Sequence, residues 1–526
     1  MSYYLTKSIN ISLDNKNPLA KICKATGLKP AEVKSVALHK QSVDARNKND
    51  LHFVCSFVID TEKSPKNATP YTYPTDVFQT DKPQANGSCI VVGSGPAGLF
   101  LALYLAQSGV KVTVIERGSD VQPRKQAIET FFDGGNFNPN TNVQFGLGGA
   151  GTFSDGKLTT GISSPFTYSV FSEFVRCGAP QNIMYDALPH VGTDKLQIVV
   201  ANLRDKITGL GGKFLFDTTV CDFVLDGNTV NGVVTQDGEQ ILADTVALAV
   251  GHSARDIFQT LANHNANMQF KPFAVGLRIE HPRDFINTAQ YGNVYATHRD
   301  FPSASYKLAH QVTPTHSCYS FCMCPGGMVV AANSQPNTVV VNGMSYYARD
   351  MANSNSALVV NVTQADVESY GFGNDVLSGV RFQQHLESLA YQMGGGNYLA
   401  PCQNVTDFVA NVPSTKLQLA PSYPRGVTTC NLRELLPKQI GDVLSDALLH
   451  FDKKIKGFGT SGVLTGIESR TSSPVKILRD ETMQSNLANL YPVGEGAGYA
   501  GGIVSSAVDG IRVAQKIVER LSGKLA

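Results

Sequence analysis

Residues 89 to 118 read CIVVGSGPAGLFLALYLAQSGVKVTVIERG, and that stretch leaves few folds open. An apolar strand, Ile90 to Val92, runs into Gly93-Ser94-Gly95-Pro96-Ala97-Gly98. An apolar helix follows from about Pro96 to Gln107. Gly109 ends it, and a second strand, KVTVIE, closes on Glu116. Each part of this βαβ unit has a physical role. Gly93 permits the tight turn, Gly95 lets the backbone approach a pyrophosphate, and Gly98 lets helix and strand pack closely. The helix N-terminus offers unpaired N–H groups and a partial positive charge to phosphate. Glu116, at the strand end, can accept hydrogen bonds from a ribose. An acidic residue there points to an unphosphorylated adenosine ribose, as in FAD or NAD and not NADP.

The bare Gly-x-Gly-x-x-Gly pattern recurs at 146–151, 457–462 and 496–501. None of these has the full strand, helix and acidic strand end, so the nucleotide is assigned to the first match. No second βαβ fingerprint follows, so NAD(P)H, if used, has no Rossmann domain of its own. Two later segments favour FAD. DTVALAVGHSA (244–254) is an apolar strand ending in a Gly turn. Residues 489–521 are a short strand, a Gly-rich turn with Gly494-Glu495, and a long apolar helix. In flavoproteins such a terminal unit returns to the FAD domain. Its acidic residue reaches ribitol or phosphate, and its helix N-terminus stabilises negative charge on reduced flavin.

Five segments carry a more specific resemblance: NVQFGLGGAGTFSDGKLTT (142–160), FAVGLRIEHP (273–282), YSFCMCPGG (319–327), IESRTSSPVKILRDE (467–481) and YPVGEGAGYAGGIVSSAVDG (491–510). Over nearly its whole length the chain resembles a bacterial family of uncharacterised FAD-dependent dehydrogenases within the glutathione-reductase-like FAD superfamily. The resemblance implies FAD, a split Rossmann-type domain and an inserted substrate domain; it implies no particular substrate. It places the FAD phosphates at Gly93 to Gly98, and the AMP ribose at Glu116 with Arg117 beside it. Arg124 would lie near the pyrophosphate, the alternative being a surface salt bridge. Gly149, Gly151, Thr152 and Ser154 would run beside the flavin, Ser154 having a turn hydroxyl as its alternative. Val220 would meet adenine, and Gly251, Gly494, Glu495, Gly501, Gly502 and Ile503 complete the set.

The expected fold is α/β. A three-layer FAD-binding domain comprises 86–267 and 456–526, an inserted mixed-sheet substrate domain 268–455, and a small α+β domain plus linker 1–85. In the small domain, YYLTKSINISL and LHFVCSFVID alternate like strands, and KPAEVKSV starts like a short helix at Pro30. Residues 64–87 hold four prolines and read as a linker or wrapping segment. Residues 1–67 carry eleven Lys/Arg against six Asp/Glu, a mildly basic face. The whole chain is at +1, so no global charge favours nucleic acid or a membrane. No apolar run reaches the roughly 20 residues of a membrane helix. Ten scattered cysteines are not a disulfide framework, and the expected location is cytoplasmic.

For chemistry, Arg470 and Glu468 stand in GIESRTSSPVKI. An arginine there can hold a substrate carboxylate bidentately; the alternative is a Glu468–Arg470 pair tying two domains. Arg278, Glu280, His281, Tyr346 and Arg349 are weaker candidates. Cys322 is the third catalytic candidate, in SCYSFCMCPGG (317–327). On a regular strand Cys318, Ser320, Cys322 and Cys324 would share a small face toward the flavin, and Tyr319, Phe321 and Met323 a bulky face toward the core. Cys318, Cys322 and Cys324 fit no metal pattern, so no metal site is expected. The expected function is hydride transfer between FAD and a small organic substrate or NAD(P)H. The alternatives are a flavin monooxygenase, or an FAD-binding protein acting on an RNA or protein partner through its basic N-terminal domain.

Overall fold

The computed structural model describes residues 2–13, 17–298 and 301–523. The small N-terminal unit is an antiparallel sheet of Tyr3–Thr6, Ile9–Ile11, Ser35–Asp44, His52–Asp60 and Ala68–Pro70, with one helix, Leu19–Thr26. Alternate residues Cys55, Phe57 and Ile59 turn inward onto Ile11, Ile22 and Leu28. The short helix expected at KPAEVKSV starts at Pro30 but stops after one turn. Pro30–Glu32 make one 3-10 turn, and the chain from Ser35 pairs along His52–Asp60. Cross-strand pairing outweighs the local helix signal. The 64–87 segment wraps as expected, burying Phe78 against Phe100 with ring centroids 5.8 Å apart.

A five-stranded parallel sheet forms the centre, in the order Leu490–Pro492, Thr245–Leu248, Ser88–Val92, Lys111–Ile115, Lys213–Leu215. Leu490–Pro492, Thr245–Leu248 and most of Ser88–Val92 are buried because both faces are covered, whereas the edge strand Lys213–Leu215 is partly exposed. Cys89 and Val91 face a core shared with the helices Pro96–Gln107 and Ile503–Leu521. Ile90 and Val92 face the opposite core, capped by the antiparallel strands Val220–Asp226, Thr229–Thr235 and Gln240–Leu242. Among the described residues no second parallel βαβ sheet is present.

The inserted domain is a seven-stranded mixed sheet in the order Ala309–Gln311, Ser317–Cys324, Asn353–Val362, Phe273–Pro282, Val463–Glu468, Ala400–Asn404, Val427–Thr429. One face of Phe273–Pro282, through Val275, Leu277 and Ile279, joins the core beneath the helix Lys438–Lys454. The other face groups Ala274, Ala357 and Val359 with Tyr319 and Phe321. The expected boundary at 455 is corrected, because Val463–Glu468 hydrogen-bonds within this sheet. The chain leaves the domain through a ribbon in which Val475–Ile477 pairs with Met268–Phe270.

Candidate functional site

A cavity of about 380 Å³ opens between the parallel sheet and the inserted domain, within the roughly 300–1,000 Å³ of small-molecule pockets. One end is lined by Gly93 to Ala97, Glu116, Arg117, Val220 and Gly251. Its middle is lined by Gly149, Gly151, Ser154, Glu495 and Gly501 to Ile503, and its far wall by Phe321, Cys322, Asn342 and Arg470. Sixteen of the expected cofactor residues therefore converge on one space. A Cβ built at Gly95, Gly251 or Gly501 meets nothing within 4 Å, so these backbones face open room. Two helices begin at the cavity, with Gly95 and Gly502 as their N-caps. His252 lines it with a buried Nε2 that has no partner among the described residues. Backbone donors, two helix N-termini and an unsatisfied imidazole nitrogen suit a dinucleotide bearing phosphates and a polar ring.

The remaining four expected cofactor residues act from behind. A Cβ at Gly98 would stand 2.0 Å from the Gly93 carbonyl oxygen, so this glycine sets helix–strand packing, as expected. Gly494 is packed against Ala97, and its N–H donates to Asp509. Thr152 is buried, its hydroxyl donating to the Leu147 carbonyl at 3.4 Å.

Arg124 requires a correction. It is neither at the cavity nor on the surface: it is fully buried, and it donates to the carbonyls of Asn142, Leu147, Val143 and Gly149. Burial lowers its pKa to about 9, opposed by Glu116. It shapes the 142–149 loop that lines the cavity.

Glu116 does more than end a strand. Its Oε2 accepts from the Ser94 N–H and hydroxyl, and its Oε1 from the N–H groups of Gly118 and Gly146. These four bonds use the acceptor capacity of a carboxylate. A ribose contact requires that one of them be exchanged. Arg117 pairs with Asp256 at 2.8 Å and stacks on Phe145. The Ser154 hydroxyl donates to the Gly151 carbonyl at 2.6 Å and accepts from the Gly156 N–H, so it is a turn hydroxyl at the cavity edge.

The expected catalytic roles of Glu468 and Arg470 are corrected by their partners. Glu468 accepts from Arg278 Nε at 2.9 Å and Nη2 at 3.1 Å, fully buried, and does not line the cavity. Arg470 does line it, but its fork is committed. Nε and Nη2 donate to Glu387, and Nη1 to the hydroxyls of Ser253 and Ser334. Glu387 also receives Arg255, from the helix Arg255–Asn263. Glu468 and Arg470 do not pair with each other: Glu468 is bound by Arg278 within the same sheet, and the link between domains runs from Arg255 to Glu387 and from Arg470 to Ser253. Glu280 and His281 are buried away from the cavity, bonded to Ser422 and to the Phe458 carbonyl. Arg349 pairs with Asp155, and Tyr346 is exposed.

The cysteine strand departs from regular alternation. Phe321 sits opposite Ala357 but Cys324 opposite Asn355, so one residue is inserted. Cys322 takes up that bulge with φ +44°, in the left-handed region. The insertion shifts the phase of the strand. Cys318 and Met323 enter the core, whereas Phe321 and Cys322 line the cavity, so the expected small and bulky faces are exchanged in part. The turn at Pro325 to Gly327 leads into Met328–Ala331, as expected.

Three further cavity residues escape a reading of the sequence: His252, Asp155 and Lys157. Asp155 is fully buried; against the opposing effect of burial, Lys157 and Arg349 hold its carboxyl well below the usual range. Their local signals, GHSA after Gly251 and DGK after Ser154, are too short to specify partners. Among the described residues no group of three or more His, Cys, Asp or Glu is placed to hold a metal ion. Among them, too, no helix is long and apolar enough to cross a membrane.

Residues 272–471 match the family described as FAD-dependent protein, C-terminal domain-like; residues 87–130 match an FAD binding domain, and residues 3–60 a domain of unknown function. An uncharacterised protein of Clostridium beijerinckii is 43% identical over 529 residues, covering 98% of each chain. The thiamine thiazole synthase of Methanococcus vannielii is 27% identical over 190 residues, 34% of this chain and 61% of that one. Among solved structures, the flavin-dependent brominase Bmp2 aligns with a TM-score of 0.37 at 11% identity, over 84% of this chain and 79% of that one.

Proposed function

This chain belongs to the family of that clostridial protein and binds FAD, and from that premise we propose that it is a flavin oxidoreductase transferring hydride between FAD and a small organic substrate or NAD(P)H. One observation carries the reading: a single cavity runs from the phosphate turn at Gly93 to Ala97 to the inserted-domain wall at Phe321, Cys322 and Asn342. Bound FAD supplies two-electron chemistry at its ring. The chain's residues do the rest. The N–H groups of the Gly95-capped helix would hold phosphate, and the Ile503–Leu521 N-terminus would offer partial positive charge to the ring. Phe321 lines the far wall. His252, 3.3 Å from Glu495 through Nδ1, keeps Nε2 for a hydrogen bond inside the cavity.

Anaerobic mixing of the yellow protein with NADH, NADPH or candidate organic donors tests this. The flavin absorbance is expected to bleach with at least one donor. Bleaching with a nicotinamide alone identifies a reductase; bleaching only with an organic donor identifies a dehydrogenase. Retention of the full spectrum with every donor, together with retention of RNA at moderate salt, contradicts the proposal.

A further inference from the structure

We infer that Cys322 and Cys324 form a dithiol–disulfide couple that exchanges two electrons with the FAD in this cavity. The inference rests on the oxidoreductase reading above.

Placement comes first. Cys322 is half-buried on the cavity wall, and Cys324 is fully buried two residues on. On a regular strand such residues stand roughly 6.7 Å apart, near the upper limit of about 6.8 Å between bridged Cα atoms. The bulge breaks that regular spacing. Cys322 turns into the left-handed region at φ +44°, and the Cys324 thiol folds back to donate to the Cys322 carbonyl at 3.3 Å. A non-glycine residue is held there against its conformational preference. Such a conformation persists only where the surroundings enforce it. Here Arg278 Nη1 donates to the same carbonyl at 3.2 Å, and a Cβ at Gly343 would stand 2.7 Å from the Cys324 sulfur.

The charges around the pair divide its two members. The groups facing them are Lys157 and Asp155 from the loop after Phe153, Arg278 from its strand, and Glu468 from the neighbouring strand. Lys157 pairs with Asp155 at 2.8 Å, Asp155 also with Arg349, and Glu468 with Arg278. The Cys324 thiol beside its side chain lowers the Cys322 pKa; burial and Asp155 oppose that shift, and Lys157 and Arg278 assist it. The same side-chain contact and burial raise Cys324. The surroundings thus favour the thiolate at Cys322 on the cavity wall and the protonated thiol at Cys324 behind it, the asymmetry of a redox pair. Cys89 and Cys402, buried elsewhere, are both pushed up to about 12 and have no such surroundings.

The step balances within the protein and its cofactor. The Cys322 sulfur bonds to the Cys324 sulfur, the Cys324 S–H bond breaks, and two electrons and that proton pass to FAD. The reverse step returns them and reopens the disulfide.

Reductive titration of the air-oxidised holoprotein with dithionite tests the couple. The wild type is expected to take up twice the electrons per FAD that the Cys322→Ser, Cys324→Ser double variant does. After acid quench and alkylation, Cys322 and Cys324 are expected to gain label together as the titration proceeds, while Cys318 on the same strand does not. Equal electron uptake by both proteins, or labelling of the two cysteines unaffected by reduction, overturns the inference. Should the double variant fail to retain FAD, the joint labelling of the wild type decides alone. Failure of the couple leaves bleaching of the wild type by an external donor intact. Failure of the oxidoreductase reading abolishes that bleaching.

Discussion

Glu387→Gln is expected to destabilise the protein by on the order of 3–5 kcal/mol, the cost of breaking a buried ion pair by removing one partner. Glu387 is fully buried, with Arg255 at 2.7 Å on one side and Arg470 at 2.7 Å on the other. Both guanidiniums are nearly fully buried, so solvent cannot replace the lost charge. The residue lies on the helix Ser378–Met393 of the inserted domain, whereas Arg255 begins a helix of the parallel-sheet domain. Its loss therefore acts at the junction that closes the cavity. Chemical denaturation checks the magnitude, and FAD content checks the consequence.

The pH dependence has a definite sign. Burial alone would raise the Glu387 pKa, but Arg255 and Arg470 hold it well below the usual 4.5. A depressed folded pKa contributes stability that is present above 4.5 and lost as pH falls toward the folded value. The gap between wild type and Glu387→Gln is therefore constant at neutral pH and narrows in acid. A gap that widened in acid would contradict this account of the triad.

Gly98→Val is expected to weaken FAD binding by about 3 kcal/mol, roughly a hundredfold in Kd. Its first added carbon would stand 2.0 Å from the Gly93 carbonyl oxygen and 3.3 Å from Val91 Cγ1. The obstacle is backbone, so no rotamer change relieves it. The helix must move away from the turn whose N–H groups meet phosphate. Apoprotein reconstitution followed by flavin fluorescence measures the effect. Gly95→Ala, whose Cβ meets no protein atom within 4 Å, is expected to keep its fold and to lose affinity only through crowding of the ligand.

The contrast between these sites explains what a sequence can disclose. The fingerprint is legible because its requirements are local: a glycine where φ is +100° at 93, and another where helix and turn touch at 98. The returning strand and helix at 489–521 are legible for the same reason. Partnerships are not. Glu468 and Arg470 stand two apart, yet their partners are Arg278, 190 residues from Glu468, and Glu387, 83 residues from Arg470. No spacing records those pairs, and Glu468 and Arg470, which look catalytic, are each bound in one. Arg124 shows the same limit in reverse, since a buried cation served only by carbonyls has no sequence signature. At the cysteine strand, strict alternation mispredicts the faces because one inserted residue shifts the phase.

The central claim is that FAD lies along this cavity with its ring against the inserted domain. Difference density from crystals of the yellow holoprotein tests it most directly. The account predicts pyrophosphate density at the N–H groups of Gly95 to Ala97, and ring density in contact with Phe321, Cys322 and the Ile503–Leu521 N-terminus. Ring density directed away from the Ser317–Cys324 strand, or bound elsewhere on the protein, would contradict it.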